Sequence, residues 1–178
     1  MTTYRWRGLR TGSIEHLDVL RRDDHLRARS VVDLGPVRLE YAMDLDLAWV
    51  FQALRLRSSD GRQLDLSRDD GGDWWVDGVL RPDLADAVDV DLSFSPFTNT
   101  LPIRRLGLTV EAAADIVTAY VDGESFEVAP DPQRYTRLAA DRYVYESRDD
   151  DFHSEISVDA DGFVVDHPGL FTRRPPGA

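Results

Sequence analysis

Hydrophobic and polar residues alternate along most of this chain with a period of two. That period belongs to strands that bury one face and wet the other. In VRLEYAMDLD, Val37, Leu39, Tyr41 and Met43 share one face, and Arg38, Glu40 and Asp44 the other. In AVDVDLSF, Val88, Val90, Leu92 and Phe94 oppose Asp89, Asp91 and Ser93. In DFHSEISVD, Phe152, Ser154, Ile156 and Val158 oppose His153, Glu155 and Ser157. DRYVYES and ESFEVA follow the same rule. The Asp-Gly pairs in SSDGR (58–62) and DADGF (159–163) supply the positive φ of tight hairpins, and DDGGD (69–73) marks another turn. TVEAAADIVTAYV starts with helix-forming alanines, but its β-branched and aromatic end predicts a strand over 114–121. Many short strands at close spacing predict a mainly β fold, an antiparallel meander curled into a barrel or roll.

The length of 178 residues fits one domain, placed at 1–172, with RRPPGA (173–178) as a disordered tail. Such a chain can bury a core without disulfides or metals, and it has no cysteine. The N-terminus MTTYRWRGLR has no apolar run of the signal-peptide kind. No later stretch reaches the roughly 20 apolar residues of a membrane span. The expectation is a cytoplasmic protein with no stable membrane anchor. Net charge is −12, and all 21 basic residues are arginine. This balance argues against nucleic acid, which needs a basic stripe, and against anionic membrane surfaces. Oligomeric state is not legible.

Candidate chemistry concentrates in SPFTNTLPIRRL (95–106), which carries the one asparagine of the chain, Asn99. Pro96 and Pro102 each lack an N–H and stop a strand from continuing. Two readings stand side by side. One is a rigid, self-capped connection with Arg104 and Arg105 paired to carboxylates. The other is a pocket wall that offers hydroxyls, an amide and a guanidinium beside apolar Phe97, Leu101 and Ile103. Trp74 and Trp75 point to opposite faces if they lie on a strand, one to the core and one outward, where a sugar could stack. Asp44 with Asp46, and Asp89 with Asp91, could each share a strand face as an acid/base or metal pair, but such pairs more often form a solvated face. The histidines at 16, 25, 153 and 167 show no zinc spacing. Nucleophile-elbow, phosphate-loop and dinucleotide motifs are absent, so no cofactor is expected.

From DVDLSFSPFTNTLPIRRLGL (89–108) outward, the chain resembles a family of bacterial glycolipid-binding proteins. The block PFTNTLPIRRL is the specific part. Glu15, Tyr41, Trp49, Trp74 or Trp75 before Asp77-Gly78, QRYTRL (133–138), Tyr143, Tyr145 and DGFVVDHPGLFTR (161–173) match in order. His167 departs from the tyrosine common at that place, and VEAAAD departs where a glycine usually follows the valine. The resemblance implies an antiparallel β-roll, a curled half-barrel similar to bacterial lipoprotein carriers. It implies binding of a glycolipid or other amphipathic small molecule, without catalysis, in an apolar cavity with an arginine-bearing mouth. Phe97 and Leu101 would contact acyl chain, Trp74 would join the site, and Thr98, Asn99 and Thr100 would bind a head group. Arg104 or Arg105 would neutralise Glu15 or Asp91, or hold an anionic head. An alternative stays open: a small hydrolase or isomerase using Glu15 and Asp91 near Arg104 on a sugar-like or lipid substrate. On the binding reading, Leu101→Asp abolishes ligand uptake while leaving the fold intact, as checked by a binding titration beside a thermal melt.

Overall fold

The computed structural model describes residues 1–175. The first eight strands follow one another as an antiparallel meander: β1 (Thr2–Gly8), β2 (Ile14–Arg21), β3 (Leu26–Asp33), β4 (Arg38–Leu45), β5 (Phe51–Ser58), β6 (Gln63–Arg68), β7 (Trp74–Val76) and β8 (Val79–Leu80). A 3-10 turn at Pro82–Leu84 leads to β9 (Ala87–Leu92), and helix α1 (Phe97–Leu106) follows. A second meander returns through β10 (Ala113–Val121), β11 (Val128–Ala139), β12 (Arg142–Ser147), β13 (His153–Val158), β14 (Val164–His167) and β15 (Phe171–Arg173). Strand β15 pairs with β1, so both meanders merge into one sheet of fifteen strands. Its free edges are β8 and β9, neighbours in sequence. The sheet is therefore a curled roll that does not close by backbone pairing. Side chains tie its seam instead: the buried Trp74 indole donates to the Ala87 carbonyl at 2.9 Å, and Arg81 donates to the Val128 carbonyl at 2.8 Å.

The local signals explain most of this. SSDGR turns β5 into β6 with Gly61 at φ 96°, and DADGF turns β13 into β14 with Gly162 at φ 80°. Leu39, Tyr41 and Met43 are buried and Arg38 and Glu40 exposed, as the period of two requires. Every strand pair is antiparallel except β9–β10, because α1 is the crossover between them.

Three expectations need correction. Residues 97–106 are a helix, where the sequence pointed to a rigid, self-capped connection. Threonine, asparagine and an interior Pro102 are poor helix formers, and tertiary burial overrides them. Asp89, expected on a wet face, is fully buried, because the crossover helix covers that side of β9. Arg173, expected in a disordered tail, ends β15 and donates to Asp159 at 2.6 Å; residues 176–178 lie outside the described residues.

Helix α1 fills the roll. Phe97 and Leu101 pack into the large core formed by β1–β9, Phe126, Val128 and Phe163. Ile103 joins a second cluster with Tyr135, Tyr143, Ile156, Val158 and Val164. Gly107, left-handed at φ 53°, ends the helix. Arg105 anchors its last turn to β9 by a forked contact with Asp89, at 3.0 Å from Nε and 2.6 Å from Nη2. Burial pushes the Asp89 carboxyl up and Arg105 pulls it back down. No helix among the described residues is long and apolar enough to cross a membrane.

Leu101 is 0 % exposed. Leu101→Ala therefore costs about 2–5 kcal/mol in urea denaturation, and Leu101→Asp leaves no cooperative unfolding transition. Arg105→Ala strands a buried carboxylate and costs about 3–5 kcal/mol, whereas the same change at the more exposed Arg104 costs under about 1 kcal/mol. Equal losses at the two arginines would contradict this anchoring.

Candidate functional site

Three hollows join end to end into one groove that runs from the turns of the first meander onto the strands of the second. Their volumes are 270, 340 and 590 Å³. The first two share Tyr120, Tyr145, Asp150 and Phe152. The second and third share Arg10, Ser93, Leu170 and Phe171. The largest section has an apolar wall of Leu34, Pro36, Val37, Phe94 and Leu170, with Arg62, Asp122 and Glu124 at its rim. The middle section is polar and is floored by Asp91, Ser95, Asn99 and His167. The smallest section adds Asp131 and Pro130. A separate hollow of 430 Å³, around Val88, Ile116 and the Asp115–Arg148 ion pair, is more open and shares only Gln133 with this chemistry.

Each floor residue is held from behind. Asp91 on β9 accepts from the Thr98 hydroxyl and the Gln133 amide, both at 2.8 Å. The same Gln133 nitrogen donates to Asp131 at 2.7 Å, so one amide draws two carboxylates together. Burial raises both acids; Asp131 reaches about 6, with its neighbours Asp91, Asp149 and Asp150 adding to the rise. The Asn99 amide donates to the buried Tyr135 hydroxyl at 2.9 Å. Tyr120 is the register partner of Asp91 in the parallel β9–β10 pair. Tyr145, Phe152 and His167 form a ring cluster, with Tyr145 at 5.9 Å from Phe152 and 6.0 Å from His167. His167 is 3 % exposed and neither ring nitrogen has a hydrogen-bond partner among the described residues. Burial first, and Arg10 second, push its pKa down to about 4, so the imidazole is neutral at neutral pH.

Behind Ser95 lies a second buried acid. Glu15 on β2 accepts the hydroxyls of Ser30, Tyr41 and Ser95 on one oxygen, each at 2.8 Å. Its other oxygen has no partner among the described residues. Burial raises its pKa to about 7, against the pull of those three hydroxyls. Glu15 lines no hollow itself and touches the groove floor only through Ser95.

Of the residues singled out in the sequence, Asn99 and Asp91 line this groove. Phe97 and Leu101 do not form a cavity mouth; they are fully buried in the core. Thr98 is turned inward onto Asp91, and Thr100 is fully buried. Trp74 is core, stacked on Phe51 at 4.9 Å. Arg105 neutralises Asp89, neither Glu15 nor Asp91. Arg104 sits over the Trp49 ring at 4.9 Å and donates to the Asp161 carbonyl at 2.8 Å, beside a hollow of 220 Å³ apart from the groove. The arrangement of Arg104 beside Glu15 and Asp91 is thus not formed. Arg10, Tyr120, Asp131, Phe152 and the groove role of His167 and Tyr145 were missed. They come from separate strand ends with no shared local spacing, and only the departure at His167 drew notice.

Glu15 is protonated more readily folded than unfolded, so its contribution to stability is complete below about 4.5 and is lost as pH rises through about 7. The loss is on the order of 3 kcal/mol. In Glu15→Gln, stability measured by urea denaturation between these pH values becomes flatter than in the wild type; an unchanged slope would show that another group is responsible.

The comparisons with known proteins agree with this architecture. The chain is 32 % identical to a DUF1089 family protein from Pseudomonas aeruginosa known from a crystal structure, with a TM-score of 0.75 over 90 % of this chain and 92 % of that one. No curated protein matches. The family model described as "Putative glycolipid-binding" matches residues 3–173. By that match, over nearly its whole length, the chain belongs to the family of that description.

Proposed function

We propose that the protein binds an amphipathic small molecule, of glycolipid type, in the groove and not inside the roll. The observation that carries this reading is the continuity of an apolar section with a polar one in a single groove. An acyl chain would lie against Leu34, Val37, Phe94 and Leu170, where burying apolar surface stabilises it by about 25 cal/mol per Å². A hydroxylated head group would meet Asp91, Asn99 and His167, beside the ring of Tyr145. Carboxylates and amides fix such a group through paired hydrogen bonds, and an aromatic face suits the apolar side of a sugar ring. The helix supports this site: Thr98 holds Asp91 from behind, and Asn99, on the groove floor, is fixed by its bond to Tyr135. The family description, glycolipid-binding, fits this ligand class.

Native mass spectrometry of the protein, gently purified from its own host, tests the reading, followed by solvent extraction of any adduct. One lipid-like molecule per chain is expected. Leu170→Asp, at a half-buried wall position, loses the adduct while keeping the wild-type melting profile. An adduct retained by that variant would place the ligand elsewhere.

A further inference from the structure

The polar end of the groove has an unusual balance of hydrogen-bonding groups. Asp91, Asp131 and Asp150 line it, and none has an ion-pair partner among the described residues. Asp91 and Asp131 share the neutral Gln133 amide, and Asp150 accepts the Phe152 backbone N–H at 2.7 Å. Three other acids of the chain sit directly on guanidinium groups: Asp44 on Arg27, Asp89 on Arg105 and Asp159 on Arg173. The Asp91, Asp131 and Asp150 charges also act on one another and on Tyr145, whose hydroxyl all three push upward.

Independent of these acids, a deeply buried polar side chain on the groove floor has no partner among the described residues. His167 offers a neutral imidazole with both nitrogens free of hydrogen bonds among the described residues. Negative charge therefore dominates: three carboxylates, and an imidazole that adds one lone pair and one N–H, lie beside the rings of Tyr145 and Phe152, with Arg10 as the cation at the far junction. A plain sugar hydroxyl both donates and accepts and would leave this excess unmet. A group that only donates, carries positive charge and favours aromatic faces meets it, and an ammonium has all three properties. No group of three or more His, Asp or Glu among the described residues is placed to hold a metal ion, so an inorganic cation is the poorer match.

We propose that the head group bound in this groove carries an amine, seated as an ammonium among Asp91, Asp131 and Asp150 against the Tyr145 ring. The proposal rests on the groove reading given above and names its ligand class. Arg10, at the junction with the apolar section, repels the ammonium and so sets its direction along the groove. The ligand is then an amphiphile with an amino-sugar or similar amino head at the acidic end and its tail toward Leu170.

Titration calorimetry near neutral pH and low salt, below the micelle concentration, tests this with three probes: octyl glucoside, octyl glucosaminide and its N-acetylated form. Octyl glucosaminide should bind at least about tenfold more tightly than either uncharged probe. Asp150→Asn, a change at an exposed position that leaves the fold alone, should reduce that preference for the amino probe over octyl glucoside. Asp131→Asn should do the same more strongly. The His167 ring resonances should shift with the amino probe. Equal affinity of all three probes would overturn the amine while the groove stands. A preference for the amino probe that survives both substitutions would overturn its seat among these carboxylates. Binding by none of the probes would overturn the amine and the groove together.

Discussion

A fifteen-stranded sheet that curls without closing must bury something other than itself, and here that is helix α1. Its two edge strands, β8 and β9, are neighbours in the chain yet do not pair, so the roll depends on what fills it. Phe97 and Leu101 supply the apolar part of the filling. A short helix of threonines and an asparagine would be a poor plug without anchors. Arg105 on Asp89, Thr98 on Asp91 and Asn99 on Tyr135 provide them, each satisfying a polar group that burial would otherwise leave unpaired.

This plug decides where chemistry can happen. With Phe97 and Leu101 packed into the core, the hollows described above lie toward the surface. There the anchors become supports: the carboxylate that Thr98 fixes is also a groove-floor group, and Gln133 couples it to Asp131. Rigid strands position these side chains, and hydrogen bonds behind them remove their freedom before any ligand arrives. Such preorganisation lowers the cost of binding. Glu15 shows the other use of a buried acid. Covered by three hydroxyls and kept from the groove by Ser95, it couples the stability of the roll to pH and has no open path to a ligand.

The strand pattern was legible because period two and Asp-Gly turns are local properties. Leu39, Tyr41 and Met43 face inward for the reason their alternation states, and DADGF turns where its glycine permits. The helix was not legible, because its residues resist helix formation individually and only enclosure by the sheet offsets that. Asp89 was misplaced for the same cause: alternation assigns it to water, and the crossover then covers it. Within the site, Asp91 and Asn99 were found through the block that carries them, but the arginines beside them were assigned to the wrong acids.

The sequence by itself determined a mainly β chain, the sites of its hairpins, the faces of its strands and its family. These follow from neighbours along the chain, which share one backbone geometry. The tertiary structure alone decided that the interior is filled, that Arg105 answers Asp89, and that Asp91, Asp131, Tyr145 and His167 meet in one groove. Those residues stand on β9, β11, β12 and β14. Their meeting depends on strand register and on the curl of the sheet, which sum many weak local terms and are written in no single stretch of sequence.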